Sequence, residues 1–136
     1  IEVASRLEGN LPLVRGDAPS LDECFAHLFQ NAREALEGRE GSALTYSART
    51  RNDGDGAPRV EVIIEDNGPG VSEDDIDKLF SPFFTTKPRG MGLGLPIVRR
   101  TVIDHNGRLD LTSDADGTRV VIDLPALDPA AEGGVR

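Results

Sequence analysis

The sequence predicts an α/β two-layer sandwich: a mixed, mostly antiparallel sheet of about five strands with helices on one face. Three observations point there. Apolar residues recur at helical spacing over residues 20–37 and again over 95–106, each time along one stripe, so each helix has a single face to bury. Several segments instead alternate apolar and polar residues and are bounded by Gly, Asn and Asp, the mark of half-buried strands. At 136 residues the chain can bury one core but is too short for two ordinary domains.

The elements follow in order. "IEVASRLEGNLPLVRGD" reads as two short strands around a turn at Gly9-Asn10, ending at Gly16-Asp17. Ser20 stands as the N-cap of the first helix, with Glu23 three residues on completing a capping box. Leu21, Cys24, Phe25, Leu28, Phe29, Ala32, Ala35 and Leu36 trace its apolar stripe, and Gly38 ends it. "ALTYSARTR" (43–51) alternates as a strand, "NDGDG" turns the chain, and "RVEVIIED" puts Val60, Val62 and Ile64 on one face, so these two strands are expected to be antiparallel neighbours. From Asn67 to Gly94 the chain is loop-like, with a short helical piece at "SEDDIDKLF" capped by Ser72. A second helix runs from about Leu95 to His105 and tolerates Pro96 in its first turn. "RLDLTSDADGTRVVIDLP" is a hairpin turned at Asp116-Gly117. The expected domain is residues 1–125, and residues 126–136, rich in Ala, Gly and Pro, form a disordered tail or linker. There is no internal repeat.

Charge and composition bound the function. A net charge of −9 argues against a nucleic-acid backbone as partner, since binding many phosphates needs a basic face. A single polyphosphate remains compatible if a divalent cation balances it. The one cysteine, Cys24, lies in the apolar stripe and reads as a core thiol. No signal peptide and no membrane-spanning apolar run is found, so the domain is expected to be cytoplasmic, either free or as the cytoplasmic part of a membrane-bound sensor, without membrane contact of its own.

Three sites suggest chemistry. Gly90, Gly92 and Gly94 stand just before an apolar helical run, where bare N–H groups and the positive end of a helix dipole suit an anion. The spacing is not the dinucleotide fingerprint, because Ile97 occupies the place of the third glycine. Nor is it a Walker-type loop, because neither Lys78 nor Lys87 follows a glycine. Glu23, His27 and Asn31 are four apart and share a stripe on the first helix: either a solvated polar stripe, or a place where the Asn31 amide oxygen ligates Mg²⁺. Asp66, at the end of its strand in "EDNGPGV", is either the acceptor of an ordinary Asx-turn or an acceptor for the exocyclic amino group of adenine.

"HLFQNAREA", "DNGPG", "LFSPFFTTK", "GMGLGL" and "DGT" occur in this order with matching elements between them. Together they resemble the N, G1, F, G2 and G3 boxes of the ATP-binding catalytic domain of two-component sensor histidine kinases, in the superfamily shared with gyrase, the Hsp90 chaperone and MutL. The resemblance covers about residues 2–125 and implies a Bergerat-type ATP-binding fold. It implies that Asn31 binds Mg²⁺, that Asp66 bonds the adenine amino group, and that Gly68 and Gly70 let the backbone pass close to the base. Thr118 would place a hydroxyl near adenine through water. Gly90, Gly92 and Gly94, with Leu95, would form the end of an ATP lid and hold the triphosphate. Lys87 and Arg89 would neutralise phosphate charge there, or simply be an exposed solubilising pair. Phe80, Phe83 and Phe84 would anchor the other end of the lid while also serving as core residues. Departures from the pattern are Met91, where the closest relatives have Thr, and Glu34 and Ala35, where some branches carry a basic and an aromatic ligand contact. The lid is short, as in kinases of the nitrogen-regulation type.

Gyrase-like hydrolases carry Glu one helical turn before the metal Asn, and here that position is His27. The resemblance therefore implies phosphoryl transfer rather than efficient hydrolysis, with His27 a candidate catalytic residue. Neither histidine suits the phospho-acceptor: His27 lies inside the nucleotide helix, and His105 reads as a helix C-terminal residue favoured by the dipole. The expected partners are a dimerisation and histidine-phosphotransfer domain, normally in the same full-length chain, and indirectly a response regulator. An alternative of another class is a standalone serine kinase that sequesters a transcription factor, as in the anti-sigma branch. A third is a degenerate docking module. The intact metal and lid motifs speak against the third, and "PFFTTK" speaks against the second.

Overall fold

Chain order is β1 (Glu2–Leu7), α1 (Ala18–Leu36), β2 (Ala43–Asn52), β3 (Pro58–Asp66), α2 (Gly94–Asp104), β4 (Arg108–Asp114) and β5 (Gly117–Pro125). These come from a computed structural model of the chain that describes residues 2–7, 14, 16–52, 58–70 and 94–126. The expected helical piece at 72–80, most of the run at 11–15, the turn at 53–57 and the tail from residue 127 on lie outside the described residues.

The five strands form one sheet in the order β1-β2-β3-β5-β4. The pairs β2–β3, β3–β5 and β4–β5 are antiparallel, and β1–β2 is parallel. The sheet is therefore mixed and mostly antiparallel, as the sequence predicts. Its parallel pair has a local cause: α1 carries the chain from the end of β1 back to the start of β2, a crossover that a parallel neighbour needs. Of the second strand expected near the N terminus, Val14 is described, in an isolated antiparallel bridge to Ala126.

Helix α1 starts two residues before the expected position, and its N-cap is Asp17, not Ser20. Asp17 is extended, at φ −88° and ψ 106°, and its carboxylate accepts the Ser20 N–H at 3.1 Å. The Ser20 hydroxyl also donates to that carboxylate. Pro19, in the first turn, lacks an N–H where none is needed, so the helix can begin ahead of Ser20. Glu23 is not part of a capping box but reaches down the helix towards His27. The hydrogen bonds from Ser20, first from its side chain and then from its backbone, hold the Asp17 carboxyl below its ordinary range.

One face of the sheet meets both helices. Cys24, Leu28, Ala32 and Leu36 of α1 and Val98 and Val102 of α2 pack on Leu44, Ile64, Val120, Ile122 and Leu124. Cys24 is fully buried, as expected from its stripe, and burial pushes its thiol up to about 11. Phe29 meets Tyr46 edge-on, with ring centres 5.3 Å apart. The opposite face carries ion pairs where a second helical layer would need apolar residues. Glu61, 4% exposed, accepts from Arg49 Nε and Arg51 Nη1, both at 2.8 Å. Asp123 stands directly opposite Glu61 in the ladder and accepts from Arg59. Two carboxylates side by side in a sheet repel, and these arginines offset that.

The two helices lie side by side. His105, just past the end of α2, reaches the start of α1: its Nε2 accepts the Asp17 N–H at 3.0 Å and its Nδ1 lies 2.7 Å from Thr101 O. A main-chain N–H can only donate, so Nε2 is the acceptor and Nδ1 carries the proton. His105 thus joins two helix ends, from the C-terminal position on α2 that the sequence suggested. The contact also sets direction. The C-terminal end of α2 meets the N-terminal end of α1, so Gly94 and Leu95, at the start of α2, lie towards the Asn31 half of α1.

Candidate functional site

Asp66 is the last residue of β3 and pairs across the sheet with Thr118, the second residue of β5. Both occupy the helix-facing side, in register with Ile64 and Val120. Asp66 Oδ1 accepts the Gly68 N–H at 2.9 Å. The Asx-turn weighed from sequence is therefore present. Thr118 Oγ1 lies 2.8 Å from Ser113 Oγ, which also donates to Gly117 O at 3.2 Å. Ser113 was missed from sequence. The signal was available: Leu109, Leu111 and Ser113 share a face by alternation, and a two-residue turn brings Ser113 opposite Thr118.

Two glycines draw this end of the sheet tight. Gly117 has φ +144°, and a Cβ there would lie 1.9 Å from Asp66 O. Gly70 has φ +73°, and a Cβ would lie 1.8 Å from Asp114 O. Both neighbours are backbone atoms, so no side chain could be accommodated without moving strands. The loop after Asp66 is thus pressed on the β4–β5 turn. On its other side Gly68 abuts α1, where a Cβ would lie 3.1 Å from Ala35 O. Ala35 is one helical turn beyond the half-buried Asn31, about 6 Å along the axis. The structure thus gathers Asn31, Asp66, Gly68, Gly70 and Thr118, with Gly94 and Leu95 on the neighbouring helix. Lys87, Arg89, Gly90, Gly92, Phe80, Phe83, Phe84 and Met91 lie outside the described residues.

A recess of about 310 Å³ at the end of β3 and the β4–β5 turn is lined by Asp66, Thr118 and Ser113 together with Glu65, Asp114, Asp116 and Arg119. Asp66, Ser113 and Thr118 reach it from the helix-facing side, whereas Glu65, Thr112, Asp114 and Arg119 alternate to the other face, where Arg119 and Glu65 stand 3.8 Å apart as an ion pair. On the helix-facing side Asp66 offers an acceptor to a ligand group that donates hydrogen bonds. On α1, His27 Nε2 is buried without a hydrogen-bond partner among the described residues, 3.6 Å from Glu23 Oε1. Among the described residues no group of three or more His, Cys, Asp or Glu could hold a metal by protein ligands alone. No helix among them is long and apolar enough to cross a membrane.

An open sheet with two antiparallel-running helices on one face, and a carboxylate and hydroxyl paired at the end of adjacent strands, defines a domain of the two-layer α/β class. Comparison with known proteins narrows this. Residues 16–128 match the model of the histidine kinase-, DNA gyrase B-, and HSP90-like ATPase family. The sensory histidine kinase/phosphatase NtrB of Rhodobacter capsulatus is 34% identical over 122 residues, covering 85% of this chain and 34% of that protein. The sensor protein FixL of Bradyrhizobium diazoefficiens is 33% identical over 129 residues, covering 94% of this chain and 25% of that protein. Among solved structures, the mycobacterial sensor histidine kinase MprB superposes with a TM-score of 0.77 at 27% identity, over 92% of this chain and 81% of that one. The catalytic domain of histidine kinase ThkA gives 0.76 at 29%, over 92% and 78%. The chain belongs to the histidine kinase-, gyrase B- and HSP90-like ATPase family, as an ATP-binding catalytic domain of the sensor histidine kinase kind. It spans about a third or less of these two curated relatives. Nothing in the matches supports the serine-kinase alternative.

Proposed function

We infer that the chain binds Mg·ATP and supplies its γ-phosphoryl group to a histidine on a separate dimerisation domain, which then serves a response regulator. The observation that carries this reading is the pairing of Asp66 with Thr118 on the helix-facing side of the sheet end, where the following Gly68 abuts Ala35 of the helix that bears Asn31. The Asp66 carboxylate would accept from the adenine amino group, a contact that a base with a carbonyl in that place loses. Gly68 and Gly70 keep side chains off the base, and the Thr118 hydroxyl, tied to Ser113, completes the rim.

Mg²⁺ fits the residues present, because Asn31 offers one neutral oxygen and the ion takes most of its ligands from phosphate and water. When bound, it would neutralise charge on the transferring phosphates. Gly90, Gly92, Gly94 and Leu95, with Lys87 and Arg89, are assigned to the triphosphate on the strength of their motif and the anion preference of a helix start. The β–γ phosphate bond would break as the acceptor imidazole nitrogen bonds to phosphorus, with ADP leaving. This chain positions and desolvates the nucleotide, and the proton of the acceptor ring leaves to a group outside it. His27 stands where gyrase-like hydrolases carry a Glu, and in this reading it is not a base poised for water. A domain that takes ATP as its substrate is assigned in this reading to the cytoplasm. On the same reading residues 1–125 form the domain, Ala126 still pairs with Val14 and Pro58, and the residues after it are a tail or linker.

The test is to mix the chain with a separately supplied dimerisation domain carrying an acceptor histidine and γ-labelled ATP. Label is expected on the partner, and Asn31→Ala should abolish it while leaving metal-free adenosine binding intact. If the chain alone hydrolysed ATP at about 1 s⁻¹ or faster, and His27→Ala removed that activity, it would be a self-sufficient ATPase and the kinase reading would fall.

A further inference from the structure

Asn67 follows Asp66 directly in the chain, at the point where the main chain leaves the sheet. In the β2–β3 ladder Leu44 faces Asp66, so Ala43 and Asn67 form the next pair. The Asn67 N–H donates to Ala43 O at 3.2 Å, as an antiparallel pair requires. The return bond goes to the side chain instead of the main chain: the Ala43 N–H donates to Asn67 Oδ1 at 2.7 Å. Asn67 Nδ2 in turn donates to Gly41 O at 2.9 Å. Because one partner can only donate and the other only accept, the orientation of the amide is fixed.

The Asn67 amide therefore stands in for a peptide group. It completes the ladder with β2 while its own main chain leaves the sheet one residue after Asp66. That departure lets the Gly68 N–H fold back onto Asp66 Oδ1 and brings Gly68 against Ala35. The side chain also ties the loop to the Gly41–Ala43 turn that follows α1, the helix bearing Asn31. Asp in its place would keep the acceptor for Ala43 but set a carboxylate oxygen against the Gly41 carbonyl. Ser is too short to reach both partners.

We propose that Asn67 is a positioning residue for base selectivity: by clasping the Gly41–Ala43 turn it fixes where the chain leaves the sheet, and so aims the Asp66 carboxylate at the base. The proposal rests on the reading of Asp66 as the partner of the adenine amino group. The test compares calorimetric titrations of the 136-residue chain with Mg·ADP and Mg·IDP, which differ in having an amino group or a carbonyl at that place. The parent should prefer ADP. Asn67→Asp and Asn67→Ala should each reduce the ADP/IDP preference about tenfold, the size of one misdirected hydrogen bond, through weaker ADP binding at nearly constant IDP binding. A purely structural role would lower the melting temperature and leave the ratio unchanged, so an unchanged ratio overturns the proposal. Equal affinities in the parent would remove the Asp66 reading itself, and this proposal with it. Asn67→Asp keeps the side-chain volume and the Ala43 bond, so it carries the comparison if Asn67→Ala does not fold.

Discussion

Asp66→Asn is expected to weaken Mg·ADP binding by roughly 30- to 150-fold while leaving the melting temperature almost where it was. The separation of the two effects follows from the carboxylate's neighbours. Oδ1 accepts the Gly68 N–H at 2.9 Å, and an Asn oxygen can make the same bond, so the turn and the loop it starts persist. The remaining position changes from an acceptor into an NH₂ group facing the adenine NH₂. A charge-assisted bond is lost and a donor is left buried against a donor, together about 2–3 kcal/mol, which gives the stated range in Kd. Stability should change by less than about 1 kcal/mol, a shift of roughly 4 °C or less for a domain of this size. Isothermal calorimetry with ADP and IDP, beside a thermal melt of the free domain, reads both quantities. Unchanged ADP affinity would refute the reasoning. So would an equal loss for ADP and IDP, since only ADP has the amino group concerned.

Gly117→Ala should lower stability by about 2–5 kcal/mol, combining left-handed strain with overpacking, because its Cβ would fall 1.9 Å from Asp66 O. Thermal melts would show this, and a parent-like melting temperature would mean the two strands are less tightly opposed. Glu61→Gln tests the ionic face. Burial there disfavours the charged carboxyl, but the hydrogen bonds and charges of Arg51 and Arg49 outweigh it and depress its pKa. A depressed folded pKa gives stability that is present above the unfolded value and lost as pH falls through the folded one. Denaturant melts should therefore find the variant about 1–2 kcal/mol weaker at pH 7, with the gap closing as pH drops below 4.5. Cys24, fully buried with its thiol pushed up to about 11, should resist a disulfide reagent at pH 8 in the folded chain and react once in urea.

The periodic parts of the fold were legible because their spacing records which side is buried. Cys24, Leu28, Ala32 and Leu36 mark α1, and Val60, Val62 and Ile64 mark β3. The hairpin at Asp116-Gly117 was legible from its turn residues. The parallel pairing of β1 with β2 was not, since Glu2 and Ala43 meet only after a whole helix intervenes and nothing in either strand names its partner. The N-cap was misplaced because two candidates compete locally. Asp17 and Ser20 each lie three residues before a polar partner, and Pro19 decides between them by favouring the earlier start. At the site, Asp66 and Thr118 were legible as motif positions, while Ser113 and Asn67 act through neighbours that only the folded sheet supplies.

The bond between His105 and Asp17 sits at the end of the helix pair farthest from Asn31. It pins one end of α2, while the fully buried Val98 and Val102 seat the helix in the core. Helix α2 runs 11 residues, about 16 Å, to Gly94 at its other end. A change of about 5° in its angle about the pinned end would displace Gly94 by about 1.4 Å, half the length of a hydrogen bond. Any such change would therefore be felt most where the glycine run joins the helix.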